Sequence, residues 1–124
     1  MPLAWVVEDN DQNFELLEFL LVERDWQVER ARDGAQLRGM LDREPPTAVL
    51  LDMNLPDTSG IDLVRELRAT APFARTPIVA VTAHAMRGDR ERFLDAGCDA
   101  YVPKPIDTAR LFAVLHALTE RGPR

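Results

Sequence analysis

Asp52 closes an apolar run, Ala48 to Leu51, and is followed by Met53-Asn54-Leu55-Pro56. So short a run with no polar interruption suits a strand buried on both faces. Proline then halts pairing, because it lacks an N–H and holds the preceding residue extended. A carboxylate at the tip of such a strand faces the crevice where open α/β sheets place ligands and reactions. Three further apolar runs end in reactive side chains. Leu3-Ala4-Trp5-Val6-Val7 ends in Glu8-Asp9, Pro77-Ile78-Val79-Ala80-Val81 in Thr82, and Ala100-Tyr101-Val102 in Pro103-Lys104-Pro105.

Strands of a parallel sheet point one way, so these four ends meet at one edge. Three carboxylates gathered there repel one another, and a hard dication such as magnesium relieves that by taking oxygen ligands. A carboxylate can also act as a nucleophile and take a phosphoryl group, forming an acyl phosphate. The transferring phosphoryl then needs positive charge and hydrogen-bond donors on its oxygens. Magnesium, Lys104 and the Thr82 hydroxyl would supply them, and the small Ala83 leaves room beside Asp52. Taken singly, each residue has a plainer account. Glu8-Asp9 would complement a helix dipole, Asp52 would be a capping aspartate, Thr82 strand filler and Lys104 a solvated surface cation. The convergence of all of them is what carries the chemical reading.

The elements that must position these groups follow from periodicity. Asn10 or Asp11 caps a helix with Phe14, Leu17 and Leu21 on its apolar face, widened by Leu16 and Leu20. Trp26 to Ala31 alternates Val28 with charged residues, as a strand nearer the sheet edge does. Asp33-Gly34 starts a second helix through Leu37, Met40 and Leu41, closed by Pro45-Pro46. Asp57 to Gly60 caps a third with Ile61, Val64 and Leu67 inward. A fourth begins near Asp89, carries Phe93 and Leu94, and ends at Gly97 in a left-handed conformation. Asp107 caps a fifth through Leu111, Leu115 and Leu118. Five strands alternating with five helices predict a doubly wound α/β fold, a parallel sheet with right-handed crossovers and helices on both faces.

Composition narrows the function. The 124 residues suit one domain, 46% hydrophobic and 29% charged. No apolar run approaches a membrane span and no signal-peptide pattern opens the chain, so no membrane insertion and a cytoplasmic location are expected. One cysteine, Cys98, excludes an internal disulfide and a cysteine-built metal cluster; it reads as a small packed residue. The formal net charge of −6 disfavours direct nucleic-acid binding.

Set together, these motifs resemble a response-regulator receiver domain, the phosphoacceptor half of two-component signalling. They are Glu8-Asp9-Asn10, Leu51-Asp52-Met53-Asn54-Leu55-Pro56 with Ser59-Gly60, Val81-Thr82-Ala83-His84-Ala85-Met86, Gly97-Cys98-Asp99-Ala100-Tyr101 and Lys104-Pro105. They span nearly the whole chain, so residues 1–124 are expected to form a single receiver domain with no output domain. The resemblance implies a flavodoxin-like sheet of strand order 2-1-3-4-5 and phosphorylation of Asp52. It implies a magnesium ion held by Asp9, Asp52 and the Asn54 main-chain carbonyl, with Glu8 acting more indirectly. It implies a cis Lys104-Pro105 bond, and a switch in which Thr82 moves toward the phosphoryl group and Tyr101 fills the space it leaves. The signalling surface would be helix 4, strand 5 and helix 5. Partners would be a sensor histidine kinase or histidine phosphotransfer protein and a downstream protein target. Such a domain is no enzyme toward outside substrates; it assists only its own phosphorylation and dephosphorylation. His84 stands where it would affect access of water to the acyl phosphate, and His116 looks like surface.

The chain departs from the family's pattern at a few positions. Glu8-Asp9 stands where two aspartates are common, and the longer Glu8 reaches further. Trp5 is large for a central strand and calls for small neighbours. Asp25 stands where glycine is frequent, so backbone strain is expected there. Met1 and the tapering tail point to a stand-alone regulator rather than a piece of a longer kinase. Other readings fare worse. A haloacid-dehalogenase-type phosphatase needs Asp-x-Asp, and here the third residue is Asn54. A flavodoxin-like cofactor binder needs a phosphate loop after strand one, where Glu8 to Asp11 would repel phosphate; neither common glycine-rich phosphate motif is present. A receiver that is never phosphorylated would not need the complete residue set.

Overall fold

The computed structural model describes residues 1–83 and 86–119. Strands β1 (Leu3–Val7), β2 (Gln27–Ala31), β3 (Ala48–Asp52), β4 (Ile78–Thr82) and β5 (Ala100–Pro103) form one sheet, in the order β2-β1-β3-β4-β5. All neighbours pair in parallel. Helices α1 (Asp11–Val22), α2 (Gly34–Arg38), α3 (Gly60–Ala69), α4 (Asp89–Ala96) and α5 (Thr108–Thr119) alternate with them, and a 3-10 turn at Ala71–Phe73 follows α3.

Every residue of β3 and β4 is buried, so these two central strands carry no polar face. Alternate residues point to opposite sides. Trp5, Val7, Val49, Leu51, Ile78 and Ala80 meet α2, α3 and α4 on one side. Ala4, Val6, Ala48, Leu50, Val79, Val81 and Val102 meet α1 and α5 on the other. Trp5 is fully buried, its ring centroid 5.5 Å from that of Phe73. Its bulk is therefore matched by an aromatic partner across the layer, not by small neighbours alone. Its indole N–H has no hydrogen-bond partner among the described residues, an arrangement that costs about 1–3 kcal/mol.

Caps fall close to where the sequence puts them. Asn10 accepts from the Asn13 amide, Ser59 from Ile61 and Asp107 from Arg110. Asp25 has a left-handed φ of 65°, as expected for a position where glycine is common. Three helical details differ from the sequence reading. Helix α2 stops at Arg38 instead of continuing to Leu41. Gly39 caps it, and the chain then tightens into turns, Met40 N to Leu37 O and Leu41 N to Arg38 O; glycine is a poor helix former. On α3 the inward line is Gly60, Leu63, Val64 and Leu67, with Ile61 only half-buried. Gly60 sets that line, since a Cβ there would lie 2.6 Å from Met53 Cα. On α1, Leu17 and Leu21 face the sheet, while Leu16 is 47% exposed and sits outward with Phe19 and Val22.

Two side chains tie the loops to this frame. Asp57, in the loop after β3, accepts from the Gly34 and Ala35 amides at 2.9 and 3.0 Å. It thereby adds a second acid to the N-terminus of α2 beside the cap Asp33, and those amide bonds hold its carboxyl below the usual carboxylate range. Arg68, in the last turn of α3, donates to the carbonyls of Gly97, Phe73, Ala74 and Thr76. It also pairs with Asp99 at 2.8 Å, and Asp99 accepts from the Ile78 amide. One guanidinium thus joins α3, the 3-10 turn, the start of β4 and the end of α4. Gly97, at φ 124°, lies close enough that a Cβ would meet the Arg68 stem at 2.9 Å. Nearby Cys98 is buried, and burial pushes its thiol up to about 12, which makes it inert.

Replacing Arg68 by Met keeps the stem and orphans several acceptors together. A loss of about 2–4 kcal/mol is expected, read as a lower urea midpoint at unchanged slope. Asp57 gives a pH test of opposite reach. Its folded pKa is depressed, so its hold on α2 is intact above the ordinary carboxylate range and is lost as pH falls through the lowered value. Asp57→Ala should speed hydrogen exchange at Gly34 and Ala35 at neutral pH, where the wild type stays protected.

Candidate functional site at the strand tips

The C-terminal ends of β1, β3, β4 and β5 meet at one edge of the sheet. Asp52 is the last residue of β3 and is 6% exposed. Its Oδ1 accepts from the Asn54 amide at 2.9 Å, and its Oδ2 lies 3.4 Å from Lys104 Nζ. Glu8, one residue past β1, is 1% exposed. Its Oε1 pairs with Lys104 at 2.6 Å and its Oε2 accepts from the Asn10 amide at 3.1 Å. Lys104 comes from the turn after β5, where the Lys104-Pro105 bond is cis. Its amide donates to the Thr82 carbonyl at 2.8 Å, which extends the β4–β5 ladder to the site.

Asp9 follows Glu8 and is exposed. Glu8, Asp9 and Asp52 each offer a carboxylate oxygen within 4.8 Å of the others. Glu8 is the more tightly engaged acid, with Lys104 at 2.6 Å and the Asn10 amide at 3.1 Å, whereas Asp52 meets Lys104 only at 3.4 Å and Asp9 is exposed; the oxygens most open to a cation are therefore those of Asp9 and Asp52. An all-oxygen donor set of this size fits a hard dication that keeps part of its water. The cleft between these groups is about 180 Å³, lined by Glu8, Asp9, Asn10, Asn13, Asp52, Asn54, Ala83 and Lys104. A hollow of about 210 Å³ adjoins it between Asn54 and Phe93, and hollows of about 450 and 430 Å³ lie at the β2–α2 edge and beside Trp26 and Phe112. None of the three brings together the strand-tip groups.

Thr82 ends β4 fully buried, and its Oγ1 accepts from Asn54 Nδ2 at 2.8 Å. Tyr101 stands opposite Ala80, two residues short of Thr82 and on the same side of the sheet. It is half-buried, its ring 5.9 Å from that of Phe93 on α4. Among the described residues, Glu8, Asp9, Asp52, Asn54, Thr82 and Lys104 therefore lie on this edge, and Tyr101 just beneath it. His84 falls outside the described residues, and His116 is exposed on α5.

Sequence reasoning missed two contributors. One is the Asn54 side chain, which bridges to Thr82; spacing alone gave no sign of a contact across two strands. The other is Arg30, which closes over the β1–α1 loop and pairs with Asp11 at 2.9 Å. With Arg32 it holds the Asp11 carboxyl below its usual range. Its position near the end of an edge strand, opposite Val6, was the available signal.

The chain is similar to several known proteins. Residues 4–116 match the family model described as the response regulator receiver domain. The polar-differentiation response regulator DivK of Brucella ovis is 34% identical over 110 residues, 89% of each chain. The receiver domain of sensor histidine kinase PA1611 from Pseudomonas aeruginosa superposes with a TM-score of 0.88 at 35% identity, over 96% of this chain and 98% of that one. That structure carries a magnesium ion coordinated in its active-site cleft. The receiver domain of a signal transduction histidine kinase from Syntrophus aciditrophicus gives a TM-score of 0.90 at 25% identity, over 100% of this chain and 94% of that one.

The Lys104–Glu8 contact pairs two almost buried charges. Lys104→Met should cost about 3 kcal/mol in metal-free urea unfolding, because it strands a buried carboxylate. Adding Glu8→Gln to that variant should return part of the loss, and the double-mutant cycle reads the coupling.

Proposed function

The chain belongs to the response regulator receiver family, and from that membership we propose that it takes a phosphoryl group onto Asp52. The donor is the phosphohistidine of a sensor histidine kinase or histidine phosphotransfer protein. The observation that carries this reading is the position of Lys104, whose ammonium lies 2.6 Å from Glu8 and 3.4 Å from Asp52.

In the transfer, a carboxylate oxygen of Asp52 forms a bond to phosphorus as the bond from phosphorus to the donor's imidazole nitrogen breaks. The Asn54 amide holds Oδ1, which leaves Oδ2, on the Lys104 side, to meet the incoming group. Lys104 offsets charge on the phosphoryl oxygens. Thr82, whose Oγ1 accepts from Asn54 Nδ2, would donate its hydroxyl proton to a phosphoryl oxygen. Asp9, Asp52 and the Asn54 carbonyl are the groups that would hold magnesium, with Glu8 behind them; the magnesium ion in the cleft of the PA1611 receiver supports magnesium as the metal. When bound, magnesium supplies positive charge for the phosphoryl oxygens. The domain assists only its own phosphorylation and dephosphorylation.

The output is a change of surface. As the Thr82 hydroxyl turns toward the phosphoryl group, Tyr101 moves into the space beside it and carries α4 with it through Phe93. The face built by α4, β5 and α5 then binds a downstream protein that prefers the phosphorylated state; without that preference no population would shift. We read residues 1–124 as one receiver unit acting in the cytoplasm, without direct nucleic-acid contact or membrane insertion. No helix among the described residues is long and apolar enough to cross a membrane.

Intact-mass analysis after treatment with acetyl phosphate and magnesium should show one added phosphoryl group, absent in Asp52→Ala. Lys104→Met should slow its appearance about a hundredfold. Labelling that persists in Asp52→Ala would falsify the assignment.

A further inference from the structure

Arg30 stands outside the pocket, on the edge strand β2, yet its guanidinium is committed to the loop that carries the acids. Nε and Nη2 both donate to the Glu8 carbonyl, at 3.1 and 3.0 Å. Nη2 also reaches the Asp9 carbonyl at 3.3 Å. Nη1 pairs with Asp11 Oδ1 at 2.9 Å. The Phe14 ring lies against the group, 4.5 Å from the guanidinium carbon to the ring centroid. Only a planar fork with several donors can make these contacts at once, and the side chain is only 15% exposed.

We propose that Arg30 is a positioning residue that sets the magnesium affinity of the site, by fixing the main chain from which the Glu8 and Asp9 carboxylates project. This rests on the reading of the strand-tip cleft as a magnesium site. The β1–β2 ladder ends with the Glu8 amide on the Ala31 carbonyl at 3.0 Å. Beyond that bond the chain turns toward the Asn10 cap, and Arg30 takes over the carbonyls that the sheet no longer engages. Glu8, Asp9, Asp11 and Asp52 repel one another. A loop free to move would relax by spreading them, and spread acids bind a cation less well together. Arg30 opposes this twice, by holding the carbonyls and by drawing Asp11 away from the cleft.

A fixed positive charge near the cleft also repels a dication, so the two effects have opposite signs. If positioning dominates, removing Arg30 weakens magnesium binding; if repulsion dominates, removing it strengthens binding. The guanidinium is already matched by the Asp11 carboxylate and two carbonyls, which favours positioning. Arg32 provides the control. It reaches the same Asp11 oxygen at 2.9 Å from a 55% exposed side chain, and its guanidinium bond goes to that carboxylate, not to the loop carbonyls.

The experiment is calorimetric titration of magnesium into the wild type, Arg30→Met, Arg30→Lys and Arg32→Met at one ionic strength, with urea unfolding in chelator to show that each is folded. Arg30→Met should raise Kd about tenfold, the size expected for loss of a group that orients metal ligands. Arg30→Lys should raise it severalfold although the charge is kept, and Arg32→Met should leave it within about twofold, as expected for an exposed ion pair. Arg30→Met binding magnesium as tightly as Arg32→Met, or more tightly, overturns the inference. Should Arg30→Met fail to fold, Arg30→Lys decides by the same comparison. A wild type that takes up no magnesium overturns the metal reading itself, and this inference falls with it. A wild type that binds while its Arg30 variants match it overturns this inference alone.

Discussion

Like charges gathered at one sheet edge are the constraint on which this structure turns. Glu8 and Asp52 are almost fully buried and Asp9 lies beside them. Such a group is tolerable only with positive charge in reach. Within the chain that charge is Lys104, which sits closer to Glu8 than to Asp52. Glu8 is therefore the nearer of the lysine's two carboxylate partners. The longer glutamate in the first position of the acidic pair is well suited to that contact. It reaches the ammonium with one oxygen while the other accepts the Asn10 amide.

The rest of the fold keeps that edge from relaxing. The central strands are buried along their whole length, so their register cannot slip by one residue without sending every side chain into the opposite core layer. Arginines then do at the loops what the ladder does in the sheet. Arg68 joins four segments at the opposite end of β4, and Arg30 takes up the carbonyls where β1 leaves the sheet. Asp57 plays the complementary part for α2, a helix too short to hold its first turn by itself. In each case a multivalent polar side chain replaces main-chain pairing that the topology cannot supply.

The same edge is built so that a new charge could be felt elsewhere. The Thr82 hydroxyl is bonded to Asn54, two residues beyond Asp52 in sequence. Tyr101 is only half-buried and touches α4 through Phe93. Asn54, Thr82, Tyr101 and Phe93 thus lie in turn between the cleft and α4, and the proposed switch would run along them.

Much of this was written in local pattern. Apolar runs of three to five residues ending in Glu8, Asp52, Thr82 and Lys104 fixed the strands, their parallel sense and the gathering of their tips, because a parallel sheet has only one place for such ends to meet. Asn10, Ser59, Asp107 and Gly97 marked helix ends through chemistry that acts over three or four residues. What pattern could not decide was which way a side chain turns once two elements meet. Leu16 reads as core by type yet lies outward, because the helix is rotated to seat Leu17 and Leu21. Gly60 looks like a turn residue but is the point where α3 touches Met53, and that contact moves the buried line from Ile61 to Leu63. Arg30 and Asn54 gain their partners only across strands, at separations of 22 and 28 residues. Sequence determines what each segment prefers and which chemistry it carries; the contacts between segments depend on how surfaces pack in three dimensions, and only the folded chain settles those.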